Sequence, residues 1–123
     1  MEAVSGIGGV FLRARDPAAL AAWYAAHLGL PVEDYGGSTH GTTLTASAGD
    51  MTVWAAFAPD TGYFGSRDQQ AMVNYRVSDL DAMLAQLRAA GADVDDRVEE
   101  QPYGRFGWAA DPEGNRFELW QPA

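Results

Sequence analysis

The chain has 123 residues, a formal net charge of −9 and no cysteine. Its length suits one domain, or two small halves sharing a core, and 47% hydrophobic residues are enough to bury that core. The acidity argues against nucleic acid or an anionic membrane as partner, and the missing cysteine excludes disulfides, thiolate metal sites and a cysteine nucleophile.

The opening MEAVSGIGGV lacks the basic start and apolar run of a signal peptide, and no apolar stretch approaches the ~18 residues of a bilayer span. The expected location is the cytoplasm. Residues 7–14 suit a strand. Asp16 and Pro17 then signal a helix start, and Gly29 its end. Leu20, Trp23, Tyr24, His27 and Leu28 follow helical spacing and form its expected buried stripe. Residues 31–35 read as a short strand before the Gly36-Gly37 turn. Thr42 to Ser47 and Met51 to Phe57 read as a hairpin about Ala48-Gly49-Asp50. A polar and aromatic connector follows, residues 59–70, with Tyr63 and Phe64 in its middle.

The pattern then restarts. Met72 to Val77 is a strand, Ser78-Asp79 caps a second helix striped by Leu80, Met83, Leu84 and Leu87, and Gly91 ends it. Val94 to Val98 is a strand candidate. Phe106 to Ala110 and Arg116 to Gln121 form a last hairpin about Asp111-Pro112-Glu113-Gly114, with Pro and Gly placed as a type I turn prefers. Arg13 echoes Arg76, Asp16 echoes Asp79, Leu20 echoes Met83, Gly29 echoes Gly91 and Val32 echoes Val94. This is a duplicated unit, and function is expected between its copies. The expected fold class is α+β, two βαβββ modules whose curled mixed sheets surround a cleft, with helices outside. The chain reads as a single domain: module one about 5–58, the connector, and module two about 71–122.

Strand alternation assigns the faces. Val10, Leu12 and Ala14 meet the first helix, leaving Ile7, Gly9, Phe11 and Arg13 toward the cleft. Val73, Tyr75 and Val77 point outward, and Met72, Asn74 and Arg76 inward. Phe117 and Leu119 pack outward, and Arg116, Glu118 and Trp120 inward.

Two such modules ending in DPEGNRFELWQP resemble the vicinal oxygen chelate superfamily, which includes glyoxalase I, bleomycin-resistance proteins and extradiol dioxygenases. The resemblance covers nearly the whole chain. It rests most on Asp111, Pro112, Gly114, Asn115, Glu118 and Leu119. Small glyoxalase-like bacterial proteins also share the look of TTLTASAGDMTVWAAF and YGRFGWAADPEGNRFELWQP. Metal-dependent members hold a divalent ion with one side chain from each of four strands. Those positions fall here at Gly9, among Val53, Trp54 and Ala55, at Met72 and at Glu118. Glu118 alone has a suitable donor, so no metal site and no cofactor are expected.

The predicted ligand-binding residues are Phe11, Arg13, Trp54, Met72, Asn74, Arg76, Tyr103, Trp108 and Trp120. The tryptophans offer flat surfaces for a planar ligand. Arg13 and Arg76 either clamp an anionic group or pair with Asp16, Asp79 or Glu118. Glu118 is the one candidate catalytic residue: a base if unpaired, a structural remnant if held by Arg76 or Arg116. His27 reads as a helical residue, and His40 as a loop residue or a pocket-mouth residue. The leading expectation is metal-independent binding of a small aromatic or hydrophobic molecule, in the manner of a resistance protein and as a homodimer. The alternative is a glyoxalase-like enzyme (lyase, isomerase or dioxygenase) using Glu118 as base or within a metal site. A pure interaction module, with an aromatic patch in place of a cavity, is the third reading.

Overall fold

The computed structural model describes residues 1–45 and 51–123. They fold as an α+β protein in two compact units, residues 9–71 and residues 1–8 with 72–123. The predicted turn at Ala48-Gly49-Asp50 lies outside the described residues.

The first unit runs strand β1 (Val4–Arg13, from residue 9 onward), helix α1 (Pro17–Leu28), then β2 (Glu33–Gly36), β3 (Thr39–Leu44) and β4 (Thr52–Phe57). β1 pairs with β4 in parallel, while β3 pairs antiparallel with β4 and with β2. The Asp16 side chain accepts from the Ala19 amide, and Gly29 closes α1 at φ 69°. Both are the local signals that the sequence carried.

The predicted stripe of α1 is rotated. Pro17 and Ala21 are buried and Leu20, Tyr24 and Ala25 half-buried, whereas Trp23 is 53% exposed and His27 and Leu28 lie outside. Alanines at 18, 19, 21, 22, 25 and 26 leave the apolar stripe of this helix poorly defined, and small Ala21 and Ala25 let it approach the sheet.

The other unit repeats the plan. β5 (Ala71–Val77) leads to α2 (Leu80–Ala89), β6 (Asp93–Val94), β7 (Glu99–Gln101), β8 (Gly104–Ala110) and β9 (Arg116–Pro122). β5 pairs with β9 in parallel, β8 pairs antiparallel with β9, and β6 and β7 each pair with β8. Parallel β1 and β4 thus correspond to parallel β5 and β9. The single strand expected at 94–98 is instead two short pieces. Between them Asp95 accepts the Arg97 amide and turns the chain.

The Asp79 side chain caps α2 by accepting from Ala82. Glu2 accepts the amides of Ser78 and Asp79, and Gln121 that of Leu80, so the first turn of α2 is well satisfied. Val77, Leu80, Met83, Leu84 and Leu119 form the core here, with Tyr75 and Phe117 against it. The β8–β9 turn is fixed by Asp111, whose carboxylate accepts from Glu113, from the Asn115 amide and from the Asn115 side chain. Among the described residues no helix is long and apolar enough to cross a membrane.

The start of β1 lies against β5. The Ser5 hydroxyl donates to the Arg76 carbonyl. A Cβ at Gly8 would collide with Asn74 Oδ1 and stand 2.9 Å from the Trp120 ring. Gly8→Ala should therefore destabilise the protein by ~1–3 kcal/mol, the cost of overpacking a tight core, read as a lower urea midpoint.

Candidate functional site

β5, β8 and β9 stand side by side, with Asn74 opposite Glu118 and Trp108 opposite Glu118. Pairing puts these three side chains on one face, opposite the face that packs on α2. Glu118 is 1% exposed, Trp108 0% and Asn74 2%. Asn74 Nδ2 donates to Glu118 Oε1 at 2.6 Å, and Trp108 Nε1 donates to Glu118 Oε2 at 3.0 Å. Both are neutral donors on an acidic side chain that water does not reach. Asn74 Oδ1 is buried with no hydrogen-bond partner. Its amide nitrogen, not its oxygen, serves the carboxylate.

The neighbours on this face extend the site. Met72 is buried at the start of β5. Arg76 stands opposite Trp120. Trp120 stacks on Phe106 at 6.0 Å and donates to the Tyr103 carbonyl, while the Tyr103 ring is largely exposed. Arg97 lies over the Trp108 ring at 4.5 Å and Arg116 at 5.6 Å. Arg116 also pairs with Asp95 at 3.3 Å. The Asp95 carboxyl lies below its ordinary pKa, chiefly because it accepts the Arg97 amide, with Arg116 adding to the effect.

Phe11, Arg13 and Trp54 belong to the other unit. Phe11 is buried against Phe57 and Tyr63. The Arg13 guanidinium donates to the carbonyls of Gln69, Pro59, Thr61 and Ser66, and lies over Phe64 at 5.2 Å. Four of its five N–H groups are thus engaged by the connector, and neither Asp16, Asp79 nor Glu118 is their partner. Trp54 pairs with Val10 and packs on Tyr24 of α1 at 4.5 Å. It therefore faces the helix and not the inner side where the sequence placed it. His40 lies in β3, not in a loop.

Sequence reasoning named Asn74, Trp108 and Glu118 and left open whether an arginine held the carboxylate; it did not see that Asn74 and Trp108 donate to it, and it did not name Arg97. Two signals could have found these contacts. Trp108 and Glu118 lie symmetrically about Glu113 of the DPEG turn, and Asp95-Asp96-Arg97 has the spacing of a side-chain-capped turn.

Residues 9–120 match the family model described as a glyoxalase-like domain. The chain belongs to this family. Curated protein sequences give no match. Among solved structures, the chain is similar to methylmalonyl-CoA epimerase from Mycobacterium tuberculosis, with 23% identity, 98% of this chain and 89% of that one covered, and a TM-score of 0.72. It is also similar to a methylmalonyl-CoA epimerase variant from Streptomyces coelicolor in complex with 2-nitronate-propionyl-CoA, with 16% identity, 98% and 99% covered, and a TM-score of 0.78. A third is the Mn(II)-bound glyoxalase from Novosphingobium aromaticivorans, with 20% identity, 100% of this chain but 41% of that one covered, and a TM-score of 0.77.

These similarities correct the leading functional expectation. The leading expectation was resistance-like binding without catalysis; these three similar structures are enzymes, and the enzymatic alternative is carried forward.

A divalent ion of the kind the Novosphingobium glyoxalase holds does not fit the residues here. Glu118 is one carboxylate, and its oxygens serve Asn74 and Trp108. Gly9, Val53, Trp54, Ala55 and Met72 offer no donor for a hard cation. Among the described residues no group of three His, Cys, Asp or Glu side chains could hold a metal.

Removing the indole donor should be costly. Trp108→Phe is expected to lower stability by ~1–3 kcal/mol, because a buried acceptor loses its partner. Adding Glu118→Gln should recover part of that loss in a double-mutant cycle read by urea unfolding.

Proposed function

We propose that this chain is a glyoxalase-like enzyme of isomerase type, acting on a small carbonyl compound by moving a proton next to the carbonyl. Glu118 is the proton acceptor. The observation that carries this reading is a carboxylate 1% exposed and held by two neutral donors, Asn74 and Trp108. Such donors fix the geometry of the carboxylate within the sheet. The isomerase class draws support from the similar epimerases. Lyase and dioxygenase chemistry of the metal-dependent kind is disfavoured by the donor set around Glu118.

Met72, Arg76, Tyr103 and Trp120 remain proposed ligand contacts. Substrate reaching Glu118 requires side chains over Trp108 to shift, since both residues are buried. The proposed working form is a cytoplasmic homodimer.

The test is deuterium wash-in. The protein is incubated in D2O with 2-substituted acyl thioesters, including methylmalonyl-CoA, and with α-hydroxy ketones, and loss of the α-proton signal is followed by NMR. The wild-type chain should exchange at least one substrate, and Glu118→Gln should be slower by ~10²–10⁴-fold with its fold intact. Equal exchange by Glu118→Gln would overturn the assignment.

A further inference from the structure

We infer that Arg97 recognises an anionic group on the substrate, a carboxylate or phosphate; this rests on the isomerase reading and adds the substrate class. The chain has eight arginines and no lysine against seventeen acidic residues. In so acidic a protein an exposed guanidinium has carboxylates in abundance. Arg105 takes two of them, Asp81 and Glu100, and Arg116 takes Asp95. Arg97 takes none. Its side chain makes no hydrogen bond or ion pair among the described residues, although it is exposed and Asp95 accepts its own backbone amide.

What the Arg97 guanidinium does instead is lie on the face of Trp108, at 4.5 Å. Stacking of this kind holds a guanidinium by its flat face and leaves its N–H edges turned outward. Those edges are the geometry that binds carboxylate or phosphate in bidentate fashion. The location gives the contact its meaning. The ring that Arg97 covers is the one whose N–H holds Glu118 Oε2 at 3.0 Å. An anion seated on the outer edge of Arg97 therefore stands about one indole away from the proposed proton acceptor. Arg116, over the same ring at 5.6 Å, adds positive potential, tempered by its pair with Asp95.

The backbone around Arg97 is arranged to hold this position. Asp95 donates its amide to the Trp108 carbonyl at 2.9 Å and accepts the Arg97 amide at 2.9 Å. One residue thus ties the segment to β8 and turns Arg97 over the indole.

The test titrates malonate and inorganic phosphate separately into the full chain at constant ionic strength, with chloride as control. The arginine Nε–H and tryptophan indole N–H signals are followed by NMR. Saturable binding of malonate, phosphate or both is expected, with shifts at Arg97 and at the Trp108 indole; which anion saturates distinguishes a carboxylate from a phosphate substrate. Arg97→Gln should weaken binding by about tenfold or more, and Arg97→Lys should retain part of it. Arg97 is exposed, so both variants should stay folded with at most a small fall in melting temperature from the lost contact with Trp108. Binding must persist in Glu118→Gln. No saturable binding of either anion, or undiminished binding in Arg97→Gln, would overturn the inference. Anion binding that follows Arg97, together with proton exchange indifferent to Glu118, would sink the catalytic reading and leave the anion site standing.

Discussion

A carboxylate out of reach of water is the constraint on which one unit of this protein is organised. Moving an ionised side chain into an apolar interior costs several kcal/mol unless its oxygens are satisfied, so Glu118 dictates what surrounds it. β5 supplies Asn74 and β8 supplies Trp108, each directly opposite it in register. Gly8 is bare because the Asn74 amide and the Trp120 ring occupy the space a side chain would fill. Behind the sheet, α2 seals the opposite face with Leu80, Met83 and Leu84. The register of three strands and the identity of a glycine are both consistent with holding one acid in place.

The other unit shows what the same plan becomes around a cation. Arg13 occupies the place in its repeat that Arg76 occupies in the second. Its guanidinium is satisfied by carbonyls of residues 59, 61, 66 and 69, and it draws the connector over β1 and β4. Phe57, Tyr63 and Phe64 pack beside it. Duplicated backbones thus carry different work: one inner face is closed by its own connector, and the other presents an acid, an indole and arginines. The divergence explains why the repeat alone did not reveal which copy carries the candidate chemistry.

Features set by local chemistry were legible in the sequence. Asp16, Asp79, Gly29, Gly91 and the Asp111 turn act within four residues of themselves, so their effect is written beside them. Strand faces in β5 and β9 were legible because period-two alternation fixes them once one face is apolar. Trp54 was placed on the wrong side because the β3–β4 hairpin admits more than one register from sequence, and a shift of one residue reverses every side chain. The face of α1 was misjudged because alanine-rich helices have a weak stripe. The carbonyl cage of Arg13 and the seating of Arg97 on Trp108 depend on residues far apart in the chain, and no local pattern announces them. The expectation of binding without catalysis went astray for a different reason: an incomplete metal-ligand set says what chemistry is missing, not that catalysis is.

The most direct measurement is metal content and metal binding of the wild-type chain and Glu118→Gln, each purified without chelator and offered manganese, nickel and zinc. If Glu118 is held by Asn74 and Trp108 as a protein-bound base, both proteins should contain far less than one ion per chain and show no stabilisation by added metal. One tightly bound ion per wild-type chain, lost in Glu118→Gln, would contradict that reading and make the carboxylate a metal ligand.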